Sequence, residues 1–283
     1  MNAPVPFVLG ADDYGMSPGV SAGIRELLAL GRLSATSCLV VSPHFSRDAP
    51  ALKDLAHDAD IGLHLALTQF SPLGPMPRLA PGGRLPDAGR LILLALCGSL
   101  NAGEIGREID CQIDAFERAL GRAPDYVDGH HHVQQLPVVR EALLARYAAR
   151  LPRGTALRVC TEPFGAILGR GIAPPRAAVV SLLGRGLRRL AAAQGIPANR
   201  RFSGVRGFTE TAPYRDLFRR FIAGSPRGLA VMCHPGHPDA ALAALDHVTG
   251  PRQGEYDYLA GEEFPRDLAA AGLRLGRFKE LTV

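Results

Sequence analysis

The chain has 283 residues, 47% of them hydrophobic and 21% charged, with a formal net charge of +5. That balance excludes a wholly disordered chain and a fibrous repeat, and the length suits one large α/β domain or two small ones. Lys53 and Lys279 are the only lysines among the 32 basic residues. Arginine grips carboxylate or phosphate in a fork, but no arginine run here exceeds two. A nucleic-acid binder clusters its cations on one face, so the sequence predicts no nucleic-acid partner.

Short apolar runs alternate with amphipathic segments along the chain. Residues 5–9 read as a strand. Ser17 and Pro18 then open a helix that ends near Gly31, with the hydroxyl as cap and the proline in the first turn, where its missing N–H is harmless. Residues 36–41 read as a second strand, 49–57 as a helix and 61–67 as a third strand. The Pro/Gly-rich stretch 71–89 fits neither period and reads as a loop or lid. Ile105, Ile109, Ile113, Phe116 and Leu120 recur at helical spacing up to Gly121. A short strand at 126–127, a helix at 137–150 and a strand at 157–160 follow. Residues 177–194 read as a helix with Arg185, Arg188 and Arg189 on its polar face, 211–223 as a helix and 229–233 as a strand. The remainder reads as helical up to Gly272, before a short strand at 273–275.

This alternation implies βα units and a mainly parallel sheet. No composition shift or repeat divides the chain, so residues 1–283 are expected to form one α/β domain, a distorted (β/α) barrel of mainly parallel strands. Chemistry in such folds lies at the carboxyl ends of the strands.

The five cysteines show no CxxC pair or ligand-like spacing, as in a reducing compartment. Met1-Asn2-Ala3-Pro4 has neither the basic nor the apolar part of a signal peptide. The most apolar stretch, 91–100, is too short to span a bilayer. A cytoplasmic protein without a transmembrane segment is expected; peripheral membrane contact and a homodimer are both compatible with the sequence.

The strand ends carry the signal. The first is followed by Asp12 and Asp13, two adjacent carboxylates. A turn can use one as a cap; alternatively, one binds a metal and the other takes a proton. In the third, His64 shares a face with Gly62 and Ala66, which leaves room for a ligand. After 126–127 comes Asp128-Gly129 and then His130-His131-His132; in an extended segment His130 and His132 point one way and His131 the other. Imidazole is the commonest protein ligand for divalent transition metals. His234 follows the strand at 229–233 and is held by Pro235 and Gly236, as a ligand or a general acid. Arg158 lies in a strand from which it can reach a carboxylate. One carboxylate and two imidazoles on a divalent metal, with a free Asp and His nearby, make a hydrolytic set. No G-x-S-x-G elbow, P-loop or G-x-G-x-x-G is present.

The ordered segments Ala11-Asp12-Asp13-Tyr14-Gly15-Met16-Ser17, Gly62-Leu63-His64-Leu65, Asp128-Gly129-His130-His131-His132-Val133 and Val231-Met232-Cys233-His234-Pro235 resemble the motifs of the YdjC-like carbohydrate deacetylases, over roughly residues 5 to 280. The resemblance implies removal of N-acetyl groups from amino sugars in an oligosaccharide or glycolipid. It matches Asp13, His64 and His130 to the ligands of one divalent metal, magnesium or zinc. It matches Asp12 to the catalytic base, His234 to the general acid and Arg158 to an arginine that orients the base. Two departures stand out. Gln134 follows Val133 where relatives often have a histidine, which would affect substrate contacts more than the metal. The Arg- and Ala-rich segment 165–201 maps onto no family feature. A metal-dependent amidohydrolase on a non-sugar amide and a non-catalytic sugar-binding protein on the same fold are the alternatives.

Overall fold

Strand β1 (Val5–Tyr14) is the hub of a sheet in which every strand pairing is parallel. The structure, a computed structural model, describes residues 3–224, 227–246 and 248–281. Met1 and Asn2, where the leader reading starts, and His247, inside the C-terminal stretch read as helical, lie outside the described residues. The other strands are β2 (Ala35–Cys38), β3 (Asp60–Leu65), β4 (Tyr126–Gly129), β5 (Ala156–Leu157), β6 (Arg201–Ser203), β7 (Leu229–Cys233) and β8 (Leu273–Leu275). Their order is β5-β4-β3-β2-β1-β7-β6. β8 joins the first residues of β1, where Val5 pairs with Leu273, and β7 joins the next, where Val8 pairs with Ala230.

Helices cover the curled sheet: α1 (Pro18–Ala29), α2 (Phe45–Asp48), α3 (Ala88–Leu96), α4 (Ala102–Leu120), α5 (Val139–Arg150), α6 (Phe164–Arg170), α7 (Pro174–Ala193), α8 (Tyr214–Phe221), α9 (Ala240–Leu245), α10 (Gly250–Ala260), α11 (Glu263–Ala270) and α12 (Phe278–Leu281). This is the expected mainly parallel α/β architecture of a distorted barrel. The Ser17 hydroxyl caps α1, and Gly121 ends α4 with φ 73°, a left-handed conformation that favours glycine. The periodic face of α4, from Ile105 to Leu120, is buried. Among the described residues, no helix is long and apolar enough to cross a membrane.

Several boundaries differ from expectation for local reasons. Of the helix read at 49–57, a single 3-10 turn, Ala49–Leu52, forms, directly after α2; Pro50 has no amide to carry the α2 ladder onward. Helix α8 starts only at Tyr214, because residues ahead of Pro213 are biased away from helix. The expected strand at 157–160 stops at Leu157, while α6 and β6 were not anticipated. The 71–89 stretch is a loop as far as Asp87, whose side chain caps α3, but it is not loose. Glu108 of α4 accepts hydrogen bonds from the amides of Leu73 and Gly74, and Glu104 from those of Arg78 and Leu79.

The sheet's two edges meet without a regular ladder. Asn199 bridges them: its Oδ1 accepts from Val159 N at 2.8 Å, and its Nδ2 donates to the carbonyls of Val159 and Arg201 at 2.9 and 2.8 Å. Phe202 N adds a bond to Thr161 O at 3.2 Å. Asn199 is fully buried, so its removal leaves a buried amide and carbonyl of Val159 unpaired, each worth about 1–3 kcal/mol. Asn199→Ala should therefore lower stability in urea by roughly 2–4 kcal/mol; an unchanged midpoint and slope would show that the seam bears no load.

Candidate active site and metal centre

A bulge at the end of β1 solves a geometric problem. Adjacent residues of a strand point to opposite faces, yet Asp12 and Asp13 line one pocket. The β1–β2 register shifts between Ala11 and Tyr14, and Asp13 has φ 70°. Such irregularities re-aim side chains. The pocket, about 290 Å³, lies at the carboxyl ends of the strands and is also lined by His64, His130, His131, His132, Arg176, Arg206, Phe208, His234 and Arg252.

Asp13 Oδ1 lies 3.4 Å from His64 Nε2 and 3.1 Å from His130 Nδ1. The far nitrogen of each ring is held by another group. His64 Nδ1 lies 2.7 Å from Asp128 Oδ1 and 3.1 Å from Ser37 Oγ, and His130 Nε2 lies 3.0 Å from Gln69 Oε1. Arg252 Nη2 donates to Asp13 Oδ2 at 2.8 Å. With the far nitrogens held by Asp128 and Gln69, the near nitrogens of both rings face Asp13 Oδ1, where an ion bound beside that oxygen would take the place of their protons, the arrangement of metal-ligating histidines. The donor atoms of Asp13, His64 and His130 lie within 4.8 Å of one another. Asp12, His64 and Asp128 form a second such group, but Asp128 does not line the pocket and Arg158 lies on both of its carboxylates. The first set fits a divalent ion.

The charge balance agrees. Asp12, Asp13 and Asp128 are buried, faced by the guanidiniums of Arg158 and Arg252. Arg252 is shared with Asp246, so four carboxylates face these two guanidiniums, an excess of negative charge that suits a cation. Burial opposes a charge on His64, but Asp128 and Asp12 overcome it and raise the imidazole to about 10. Burial pushes Asp13 up, yet Arg252 and the hydrogen bonds of His130 and His64 hold it well below the carboxylate range.

Arg158 forks onto Asp12, with Nη2 to Oδ2 at 2.7 Å, and its Nη1 lies 2.8 Å from Asp128 Oδ2. For Asp12 burial outweighs the cation, so its pKa is raised; for Asp128 burial is outweighed by Arg158 and His64, so its pKa is lowered. His234 Nε2 stands 3.9 Å from Asp12 Oδ2. Burial pushes this imidazole well below its usual value.

The histidine block departs from the extended reading. It forms a tight turn, with His131 and His132 left-handed at φ 54° and 59°. Only His130 meets Asp13. His131 Nδ1 lies 2.9 Å from Thr68 Oγ1, and His132 stacks edge-on against Phe202 near Cys160. The room beside Gly62 is taken by the Tyr126 ring, 2.5 Å from where a Cβ would stand. Gln134 is also no pocket residue; it is buried and donates to Arg158 O. Sequence reasoning assigned no role to Asp128, Gln69, Arg252 or Glu255. Asp128 was signalled by its place in the histidine motif. Gln69, Arg252 and Glu255 have no local pattern, and Arg252 reaches Asp13 across 239 residues of chain.

A parallel sheet curled round buried carboxylates and imidazoles at its strand ends places the protein in the distorted-barrel α/β class. Its sequence matches the model of the YdjC-like proteins over residues 6–270, and the chain belongs to that family. It is 30% identical over 275 residues to a chitooligosaccharide deacetylase of Enterobacter sp. (strain 638), covering 97% of this chain and 98% of the other. A chitooligosaccharide deacetylase of Citrobacter koseri is likewise 30% identical, over 279 residues, with the same coverage. A solved structure from Enterococcus faecalis, provisionally described as a cellobiose-phosphate cleavage protein, superposes with a TM-score of 0.76 at 22% identity, covering 99% of this chain and all of that one.

Glu255 lies behind the site, accepting from His234 N at 2.6 Å and pairing with Arg206 at 3.1 Å. Burial raises its carboxyl from 4.5 to about 7, with Arg206 opposing. The folded state therefore binds the extra proton, and the associated stability is full below 4.5 and lost as pH rises through 7. Glu255→Gln cannot titrate. The stability of the wild type minus that of the variant should fall between pH 4.5 and 7 and then level off; a pH-independent difference in urea midpoints would refute the assignment.

Proposed function

We propose that the protein is a metal-dependent carbohydrate N-deacetylase, which hydrolyses the acetamide of an N-acetylated amino sugar to acetate and a free amine. The observation that carries this reading is the division of labour between adjacent carboxylates: Asp13 converges with two imidazoles, while Asp12 is fixed by Arg158 beside them. The names of the chitooligosaccharide deacetylase relatives support the substrate class.

Asp13, His64 and His130 would hold the ion, and the nitrogen-rich set suits zinc while leaving magnesium open. The chemistry supplied by such an ion is Lewis acidity, which polarises a carbonyl and acidifies water. Asp12 takes a proton from the attacking water as its oxygen bonds to the acetyl carbon. Arg158 holds the Asp12 carboxylate in place, and the raised pKa of Asp12 brings its basicity closer to neutral pH. The C–N bond then breaks as His234 gives a proton to the departing nitrogen. Because burial keeps His234 neutral at rest, that proton arrives during the reaction, and Asp12 Oδ2 at 3.9 Å is its source.

Acetate release from N-acetylglucosamine oligomers and from simple N-alkylacetamides, with and without chelator, tests this. Turnover of the sugars should vanish with chelator and return with metal. Asp12→Asn should lower kcat by roughly 10²–10⁴-fold while metal content by elemental analysis stays, and His64→Ala should lose the metal. No acetate from any sugar with either ion would refute the reading; preference for the simple amides would point to a non-sugar amidohydrolase.

A further inference from the structure

Residues 163–209 contain eight arginines and no aspartate or glutamate. This stretch builds α6 and α7, which pack against each other and send Ile167, Ala177 and Val180 into a small core with Phe202 and Met232. Their outer faces are unusual. Phe164 and Leu168 are four residues apart on α6, and Val179 and Leu182 three apart on α7, so each pair shares one helical face. All four are more than half exposed, and they make up half of the large apolar side chains left exposed among the described residues. Exposed apolar residues scattered singly need no explanation, but same-face pairs on two helices that pack together point to an interaction site.

Six of these arginines fall into two groups. Arg170 bonds Glu162 and Ser203, Arg188 bonds Thr161 and the Asn199 carbonyl, and Arg206 pairs with Glu255. Arg176, Arg185 and Arg189 on α7 are exposed and have no hydrogen bond or ion pair among the described residues. Arg176 also lines the rim of the catalytic pocket. We infer that the outer face of α6 and α7 docks the protein on an anionic lipid surface, with Phe164, Leu168, Val179 and Leu182 in the headgroup–acyl boundary and Arg176, Arg185 and Arg189 against lipid phosphates. Apolar side chains flanked by unpaired cations are the composition of an interfacial helix. A second copy of this chain fits less well. Pairing the face with itself sets arginine against arginine, with no acid in the stretch to relieve it.

Co-sedimentation of the full chain with vesicles of equal parts phosphatidylglycerol and phosphatidylcholine, compared with phosphatidylcholine alone, tests this without any assay of catalysis. The wild type should pellet with the anionic vesicles. Phe164→Ser combined with Leu182→Ser, and separately Arg185→Gln combined with Arg189→Gln, should each weaken binding by about tenfold or more. All four side chains are exposed, so circular-dichroism melts should be unchanged; Leu168→Gln serves as the check if either double variant melts early. Three results would overturn the assignment: no pelleting with the anionic vesicles, pelleting unaffected by these substitutions, or a lipid-free dimer that Phe164→Ser with Leu182→Ser dissociates.

Discussion

The site depends on one guanidinium placed just past the end of its strand. Arg158 lies one residue beyond β5, buried against carboxylates from β1 and β4. Its N–H donates to Val127 O of β4 at 3.0 Å, and side-chain amides fix the backbone from its carbonyl onward. Gln134 donates to Arg158 O, Asn199 brackets Val159 on both its amide and its carbonyl, and Gln135 accepts from Cys160 N. Two of these three amides come from the turn that carries His130. The arginine that organises the acids and the histidine that meets Asp13 are thus positioned by one local structure. Uncompensated buried charge is strongly destabilising, so the acids, the arginine and the amides stand or fall together.

Within that frame, adjacency does chemical work. Asp12 and Asp13 share a bulge but not an environment. Arg252 and two imidazoles depress the second, while burial outweighs Arg158 and lifts the first. Titratable neighbours pushed apart in this way suit the separate roles proposed for them, one accepting protons and the other staying an anion. The pleat would have aimed them apart; the left-handed backbone of Asp13 brings them into one pocket.

Much of this was legible in the sequence. Alternating apolar runs announced the parallel sheet, and acids and histidines following those runs located the pocket. The limits have physical causes. The conformation of His130-His131-His132 depends on left-handed backbone that composition does not signal. The room read beside His64 belongs to Tyr126, a tertiary contact from the neighbouring strand. Arg252 meets the site from a helix 239 residues beyond Asp13, and Gln69 from the loop after β3, where no spacing rule applies. The edges of β5 and β6 were unreadable because a side chain replaces the expected ladder.

That replacement has a dynamic consequence. Where strands are zipped by repeated backbone bonds, opening one pair is resisted by the next. At the β5–β6 seam, the amide of Val159 is held by a single carboxamide. Sub-global opening favours such points. The slowest-exchanging amides should lie in β1 and β7, the paired centre of the sheet, while the seam exchanges sooner. The barrel would then breathe along the line that carries its key arginine, so the persistence of the assembled site is set by its least redundant junction and not by its thickest core.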